Sequence, residues 1–282
     1  MKQNWKKKSL MVVTMLSMSM GVMGQKAVST GVYREKSITR EDGTTIPAYV
    51  EHYKVLESDL SLDIAVWGDL TKADKSENIR FRLWHQPQVL ETEVIDTASH
   101  EIRNIDVTKN SYKVQWFNDQ PRYSGALLGT WVTEQYEKST LTPTAQTIIN
   151  TLTGKNTSKA GKFAGAWKIL GFVSQDGKRT IITPNGQPCY KFHGDDVTVQ
   201  LFGEDIARLA NEEVEVQGLI RKTEYLGDDL VREQGNPCIV RWIGRDMMEV
   251  SYVPVDGGRP LTELWLRTEI PTDLKQVFQQ VK

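Results

Sequence analysis

Hydrophobic and polar residues alternate along short stretches in both halves of the chain. The clearest stretches, at 79–84, 112–117, 197–202 and 213–217, have an apolar residue at every second position. A period of two is the pattern of a β-strand that buries one face. Turn-forming pairs separate such stretches: Asp42-Gly43, Asn118-Asp119, Asp176-Gly177, Asn185-Gly186, Asp228-Asp229 and Asp256-Gly257-Gly258. Short strands divided by frequent turns predict a mainly β protein, built as an antiparallel barrel or sandwich.

In each half, one short motif predicts a helix after the strands. Thr142-Pro143 leads into residues 145–150, and Pro271-Thr272 leads into residues 274–278. A threonine beside a proline is a common helix start. We therefore expect each half to end in a short amphipathic helix. A weaker helix is expected at 204–210, opposite residues 70–75.

The second half of the chain repeats motifs of the first half in the same order. The repeats are Gly31-Val32-Tyr33 with Gly165-Ala166-Trp167, Tyr53-Lys54-Val55 with Tyr190-Lys191-Phe192, and Trp131 with Trp265. Their spacings of 134, 137 and 134 residues suit one compact domain made twice. The polar, glycine-containing stretch 151–162 has the composition of a linker. We predict two units, 25–152 and 163–282, joined by a linker at 153–162.

The first 24 residues have the features of a signal peptide. A lysine-rich start precedes an apolar run from Leu10 to Met23, and small residues follow near Gly24. We expect export to the periplasm or the exterior, with cleavage near Gly24. Because no cysteine lies near this point, a lipoprotein is not expected.

The charge of the mature chain disfavours two classes of partner. Removal of residues 1–24 leaves 31 basic and 36 acidic residues, a net charge of −5. A mildly acidic protein is a poor match for nucleic acid or an anionic membrane. No later segment is apolar enough to span a bilayer, so no stable membrane insertion is expected.

Each unit opens with a Gly-x-aromatic motif, and the second ends with Trp265-Leu266-Arg267. This pair resembles the Gly-x-Trp first strand and the last-strand arginine of the lipocalins. The chain is similar to lipocalin-like secreted bacterial proteins of unknown function. The resemblance implies two tandem antiparallel up-and-down β-barrels, each with a short C-terminal helix.

The same resemblance implies that Arg267 stacks over Trp167 at the closed end of its barrel, a contact worth about 0.5–2 kcal/mol. In the first unit Tyr33 replaces the tryptophan, and Thr133 stands where Arg267 stands. The recurring aromatics are expected to be structural: Tyr33, Trp131, Trp167 and Trp265.

We find no catalytic motif in the sequence. The four histidines, His52, His85, His100 and His193, have no metal-binding spacing. Serine-hydrolase, cysteine-nucleophile and nucleotide-binding motifs are absent. We therefore expect no enzyme activity, no cofactor and no metal. Cys189 and Cys238 are either a disulfide or two separate buried thiols, and the sequence leaves both open.

One strand carries a set of residues that would suit a ligand. Arg80, Arg82 and Trp84 share a face, which would suit an anionic or amphipathic molecule if it pointed inward. The favoured alternative turns Ile79, Phe81 and Leu83 into the core and leaves the arginines in solvent. Trp116 and Trp242 are further ligand-contact candidates, with core packing as the alternative for every tryptophan.

These observations predict an exported, non-enzymatic binding protein that carries a small hydrophobic or amphipathic molecule. The alternative is a module with filled barrels that binds a protein or a glycan. An enzyme whose active site is assembled from distant residues is a weaker alternative.

Overall fold

The fold was analysed on a computed structural model, which describes residues 28–48, 50–56, 60–87, 103–118, 129–174, 177–181, 189–202, 215–253 and 261–270. The predicted signal peptide, the second predicted helix and the weaker helix at 204–210 lie outside these residues. The protein is mainly β, as the alternation predicts. Residues 70–72 form a turn instead of the expected helix.

The first half contributes eight strands. They are β1 Gly31–Arg40, β2 Thr45–Pro47, β3 Glu51–Leu56, β4 Leu60–Trp67, β5 Ile79–Pro87, β6 Arg103–Ile105, β7 Ser111–Asn118 and β8 Thr130–Lys138. Their pairing order is β6-β7-β8-β1-β3-β4-β5, and β2 forms a hairpin with β1. Helix α1, Pro143–Leu152, and a 3₁₀ turn, Gly161–Phe163, follow.

The second half contains nine strands, eight of which form a closed antiparallel barrel. They are β9 Gly165–Val173, β10 Arg179–Ile181, β11 Cys189–His193, β12 Val197–Phe202, β13 Glu215–Tyr225, β14 Leu230–Glu233, β15 Asn236–Trp242, β16 Met247–Tyr252 and β17 Leu261–Thr268, and β10 lies outside the barrel ring. Each of β11 to β17 pairs with the next, and both β11 and β17 pair with β9, which closes the barrel. The short strand β10 forms a hairpin with β9.

The two halves are joined through one sheet, which the sequence did not predict. Strand β5 pairs antiparallel with β13 from Ile79 opposite Ile220 to Trp84 opposite Glu215. Strand β13 is long enough to serve both halves, because residues 223–225 pair with β14 beyond the part that pairs with β5. All seventeen strands of the described residues therefore belong to one hydrogen-bonded sheet.

The largest apolar cluster is shared between the halves. One face of β3, β4 and β5, here called the seam face, packs with residues of β11, β12 and β13. Phe81 of the seam face lies against Gly218 of β13, where a Cβ atom would also meet the carbonyl oxygen of Gln200 at 2.7 Å. Only glycine fits this position. The members of the shared core from the three first-half strands are Tyr53, Val55, Leu62, Ile64, Val66, Ile79, Phe81 and Leu83.

Helix α1 begins where the sequence predicts it. The Thr142 hydroxyl accepts a hydrogen bond from the Ala145 amide at 3.4 Å, and Pro143 occupies the first turn. Its apolar face, Ala145, Ile148, Ile149 and Leu152, is buried in the shared core beside β11 and β12. The helix therefore packs on the second half, whereas we expected it to close its own unit.

A cation covers an aromatic ring in both halves. The guanidinium carbon of Arg267 lies 4.2 Å from the centroid of Trp167, and its two amino groups donate to the carbonyls of Ala164 and Lys162, both at 2.7 Å. In the first half the ammonium of Lys138 lies 5.9 Å from the centroid of Tyr33 and donates to the Thr30 carbonyl.

The strand registers correct one expected equivalence. Tyr33 pairs with Lys138 and Trp167 pairs with Arg267, so Lys138, and not Thr133, corresponds to Arg267. By the same registers, the first-half residue that corresponds to Trp265 is Tyr136, and not Trp131. The expected match was wrong because the spacing of 134 residues, read from the first strands, shortens to 129 at the last strands.

The shared core predicts that the two halves unfold together. Phe81→Ala removes a buried ring from the seam face and is expected to lower the free energy of unfolding by about 3–5 kcal/mol. Scanning calorimetry of the variant should show a single unfolding transition, at a lower temperature than that of the wild type. Phe172→Ala, which truncates an exposed ring on β9, is the control and should cost far less. Two separate transitions, with only the first one moved, would contradict the shared core.

The closed end of the barrel gives a second prediction. Arg267→Ala loses the stacking on Trp167 and two charge-assisted hydrogen bonds, so the melting temperature should fall by several degrees, since 1 kcal/mol shifts a chain of this size by about 2–4 °C. Arg267→Lys keeps the charge, as Lys138 does in the first half, and should recover part of the loss. An unchanged melting temperature in Arg267→Ala would show that the contact contributes nothing.

Candidate functional site

The face of the first-half sheet opposite the seam face carries a buried group of ionisable residues, here called the polar cluster. Since alternate side chains of a strand point to opposite faces, burial of Tyr53 and Val55 at the seam turns His52 and Lys54 the other way. The neighbouring strands β1, β4 and β8 complete the group. The polar cluster consists of Glu35, His52, Lys54, Asp63, Glu134 and Tyr136.

His52 lies at the centre of the polar cluster. Its Nδ1 is 3.2 Å from Oε2 of Glu35 and 3.3 Å from the Tyr136 hydroxyl, and its Nε2 is 3.8 Å from Oδ1 of Asp63. Burial lowers the pKa of His52, but hydrogen bonding and the charges of Asp63 and Glu35 outweigh it and raise the pKa to about 9. His52 is therefore an imidazolium at neutral pH.

Lys54 and Asp63 form the second ion pair of the cluster. The Lys54 ammonium lies 3.1 and 3.2 Å from the two oxygens of Asp63, whose side chain is fully buried. Burial opposes both charges, but Lys54 and His52 lower the pKa of Asp63, and Asp63 with the nearby glutamates raises the pKa of Lys54. Both groups are charged at neutral pH. The ammonium also lies 5.5 Å from the centroid of the Tyr136 ring.

The buried polar atoms without a hydrogen-bond partner in the described part of the chain include several of this face. Among them are Oε1 of Glu35, Nε2 of His52, the hydroxyl of Tyr112 and Oδ1 of Asp63, which has an ion pair with Lys54. Burial and the charge of Glu134 raise the pKa of Glu35 against the opposing effect of His52. Buried polar groups in native proteins nearly always have a partner, so unpartnered atoms in one region call for a bound group or water.

Aromatic rings surround the polar cluster. The Tyr112 ring is parallel to that of Tyr136 at 5.2 Å and meets Tyr33 edge-on at 5.0 Å. The Trp84 ring lies 5.2 Å from that of His52. Burial and the charges of Asp63 and Glu134 raise the pKa of Tyr112. Aromatic rings therefore border the ionisable residues of this face.

The predicted set of Arg80, Arg82 and Trp84 is only partly brought together. Ile79, Phe81 and Leu83 form part of the shared core, as the favoured alternative states. Trp84 reaches the polar cluster, but Arg82 is bound to Glu215 at 3.1 Å and lies over Trp67 at 5.4 Å. Arg80 is exposed to solvent.

The other two predicted ligand contacts pack within the protein. Trp116 packs beside Ile38 and Val132. The Trp242 ring packs on Phe163 at 5.3 Å, and its indole nitrogen donates to the carbonyl of Asp228 at 2.5 Å. Trp116 also packs against the apolar group that contains Tyr112 and Tyr136, beside the polar cluster, whereas the contacts of Trp242 lie in the second half.

The barrel of the second half has a related buried pair, Lys191 and Glu233. Lys191 has the register of Lys54, since Lys54 pairs with Tyr33 and Lys191 with Trp167. The Lys191 ammonium lies 3.2 Å from Glu233 and covers the Trp265 ring at 5.0 Å. The cavity beside this pair measures only ≈ 10 Å³, room for one water molecule at most.

Cys189 and Cys238 are both buried and free, so the disulfide alternative is not present in this structure. Burial raises the pKa of Cys189 to about 11 and that of Cys238 to about 12. Nearly all of each thiol is therefore protonated at neutral pH, which makes both unreactive.

The comparisons with known proteins assign no family to the chain. No protein-family model matches it, and no curated protein matches its sequence. Across the described residues, no three histidine, cysteine or acidic side chains are placed to hold a metal ion. No helix in the described part of the chain has the length and hydropathy needed to cross a membrane.

Sequence reasoning missed the polar cluster. It treated His52 only as an isolated histidine and did not consider Glu35, Asp63 or Glu134. One signal was available in β3, where His52 and Lys54 alternate with Tyr53 and Val55. That pattern is typical of a strand buried on both faces, with polar groups paired on one of them.

The shifted pKa values of two buried histidines predict opposite pH dependences of the unfolding free energy. Folding raises the pKa of His52 from 6.5 to about 9, so its contribution is complete below pH 6.5 and lost as the pH rises to about 9. Folding lowers the pKa of His193 to about 3 by burial, so its contribution is complete above pH 6.5 and lost as the pH falls toward 3.

Denaturant titrations across this pH range should separate the two histidines. His52→Gln is expected to flatten the alkaline decline of the unfolding free energy, which amounts to about 3 kcal/mol or less. His193→Gln, the matched variant, should flatten only the acid decline. An alkaline decline that persists unchanged in His52→Gln would contradict the ion-paired state of that residue.

Proposed function

We propose that the protein is a non-enzymatic binding protein that holds one small amphipathic molecule on the polar face of its first half. The proposal includes the lipocalin-like plan of two related barrels made by duplication and exported. The matching strand orders and the cation over a ring in each half support that plan.

The observation that carries the binding proposal is the group of unpartnered atoms beside aromatic rings. Oε1 of Glu35, Nε2 of His52 and the hydroxyl of Tyr112 are all buried, and Trp84 borders the same group. A ligand with polar groups at one end and an apolar body would satisfy the atoms and cover the rings. The related pair of the second half, Lys191 and Glu233, lies beside a cavity of ≈ 10 Å³, which is too small for such a ligand.

An enzyme is the second candidate, and the His52–Glu35 pair is the observation that favours it. A histidine beside carboxylates is the usual arrangement of a general base. The charges of Asp63 and Glu35 keep His52 protonated up to pH values near 9, however, so it cannot accept a proton at neutral pH. The geometry therefore supports binding better than catalysis.

The third candidate is a protein or glycan interaction module. Apolar side chains of Ile239, in β15, and Val253, just after β16, are exposed in the second half, with exposed fractions of 54% and 39%. Single exposed apolar residues are common on protein surfaces, so this observation carries less weight than the buried polar atoms.

Native mass spectrometry of protein purified from its own host tests the proposal. We expect one small molecule per chain, released on unfolding. Trp84→Ala should lose most of this molecule, because the ring borders the site, whereas Trp242→Ala in the second half should retain it. A chain that carries no molecule, or equal retention in both variants, would contradict the proposal.

A further inference from the structure

The second half has a buried histidine of its own, His193, at the end of β11. Only 3% of the residue is exposed, and its ring lies 5.7 Å from that of Phe163 and 6.1 Å from that of Tyr225. Its Nδ1 is 3.2 Å from the Tyr225 hydroxyl, whereas its Nε2 is buried without a hydrogen-bond partner among the described residues. Because buried polar atoms in native proteins nearly always have a partner, Nε2 calls for a bound group.

The hydrogen bonds of Tyr225 decide which nitrogen of His193 carries the proton. The Tyr225 hydroxyl donates to the carbonyl of Gly194 at 2.8 Å, and a carbonyl can only accept. The hydroxyl oxygen is therefore left to accept from Nδ1–H of His193. Burial lowers the pKa of His193 to about 3, so the ring is neutral at neutral pH and has this one N–H only. Nε2 is thus an acceptor that needs a donor.

The polar neighbours of Nε2 are already committed to other bonds. The three N–H groups of the Lys191 ammonium face both oxygens of Glu233, at 3.2 and 3.3 Å, and the Tyr252 hydroxyl. Burial raises the pKa of Glu233, but nearby cations, Lys191 first, outweigh it and lower the pKa, so Glu233 is ionised and can only accept. The thiol of Cys238 donates to the carbonyl of Asn236. The donor for Nε2 must therefore come from outside these side chains.

A small cavity adjoins the same groups. It measures ≈ 10 Å³ and is bordered by His193, Lys191, Glu233 and Cys238, together with Phe163 and apolar side chains of β14, β15 and β16. This volume is about that of one water-sized sphere and is too small for an organic molecule. Because the remaining wall is apolar, a water molecule in this cavity has its hydrogen-bond partners on the side of His193 and Glu233.

We infer that the cavity binds one internal water molecule, which donates one hydrogen bond to Nε2 of His193 and the other to the Glu233 carboxylate. The carboxylate can accept this further bond, because it has about four acceptor positions and the Lys191 ammonium faces each oxygen only once. The water completes a hydrogen-bonded chain that runs from the Gly194 carbonyl through Tyr225, His193 and Glu233 to Lys191. This site is separate from the ligand site proposed for the first half and does not depend on it.

A high-resolution crystal structure of the full chain tests the inference directly. We expect one density peak in the cavity, about 2.7–3.2 Å from both Nε2 of His193 and an oxygen of Glu233. A cavity without such a peak, or a peak that lies beside the apolar side chains and out of reach of Nε2, would overturn the inference.

The tautomer of His193 gives a second test on the wild-type protein. Nitrogen-15 NMR of the imidazole at neutral pH should show a neutral ring that is protonated on Nδ1, which leaves Nε2 free to accept from the water. A ring protonated on Nε2 would contradict the inference, because that nitrogen would then be a donor.

A variant then links the water to His193. His193→Phe keeps an aromatic ring but removes the acceptor, so the number of long-lived internal waters counted by oxygen-17 relaxation dispersion should fall by one. Phe172→Ala, which truncates an exposed ring in the same half, is the control and should keep the wild-type number. An unchanged number in His193→Phe would refute the assignment. The crystal and NMR tests use the wild type, so they decide the question if His193→Phe folds poorly.

Discussion

The antiparallel ladder between β5 and β13, with the apolar core beside it, is the constraint on which the rest of the structure depends. It turns one face of β3, β4 and β5 toward the second half and fills that face with apolar side chains. Because alternate side chains of a β-strand point to opposite faces, the remaining side chains of β3, β4 and β5 lie on the other face. His52, Lys54 and Asp63 lie on that other face, beside a second apolar cluster that contains Leu56 and Tyr112.

The two halves differ in the residues that surround an equivalent buried lysine. Both carry a buried lysine at the same register, Lys54 and Lys191, and each lysine is paired with an acid. In the second half, Lys191 contacts Glu233, Tyr252 and Trp265. In the first half the position of Trp265 is taken by Tyr136, and three acids, Glu35, Asp63 and Glu134, lie near Lys54.

The sequence predicted strands, the position of α1 and the Arg267–Trp167 contact because each depends on a local pattern or a short motif. Alternation at 79–84 even identified which side of β5 is apolar. It could not show that this side packs against strands of the second half, since the pairing of β5 with β13 joins residues 131 to 141 positions apart and has no local signature. The polar cluster was missed for the same reason: its members come from four strands, and only the fold places Glu35 beside His52. The match of Thr133 with Arg267 failed because loop lengths differ between the halves.

Hydrogen exchange of the backbone amides in β5 and β13 tests the central claim most directly, since protection reports the free energy of the opening that exposes each amide. If the ladder joins the halves, the paired amides between residues 79–84 and 215–220 should exchange only through global unfolding and with one common free energy. Fast exchange on β5 while the barrel strands β15 to β17 stay protected would show that the halves are independent, and the account would be wrong.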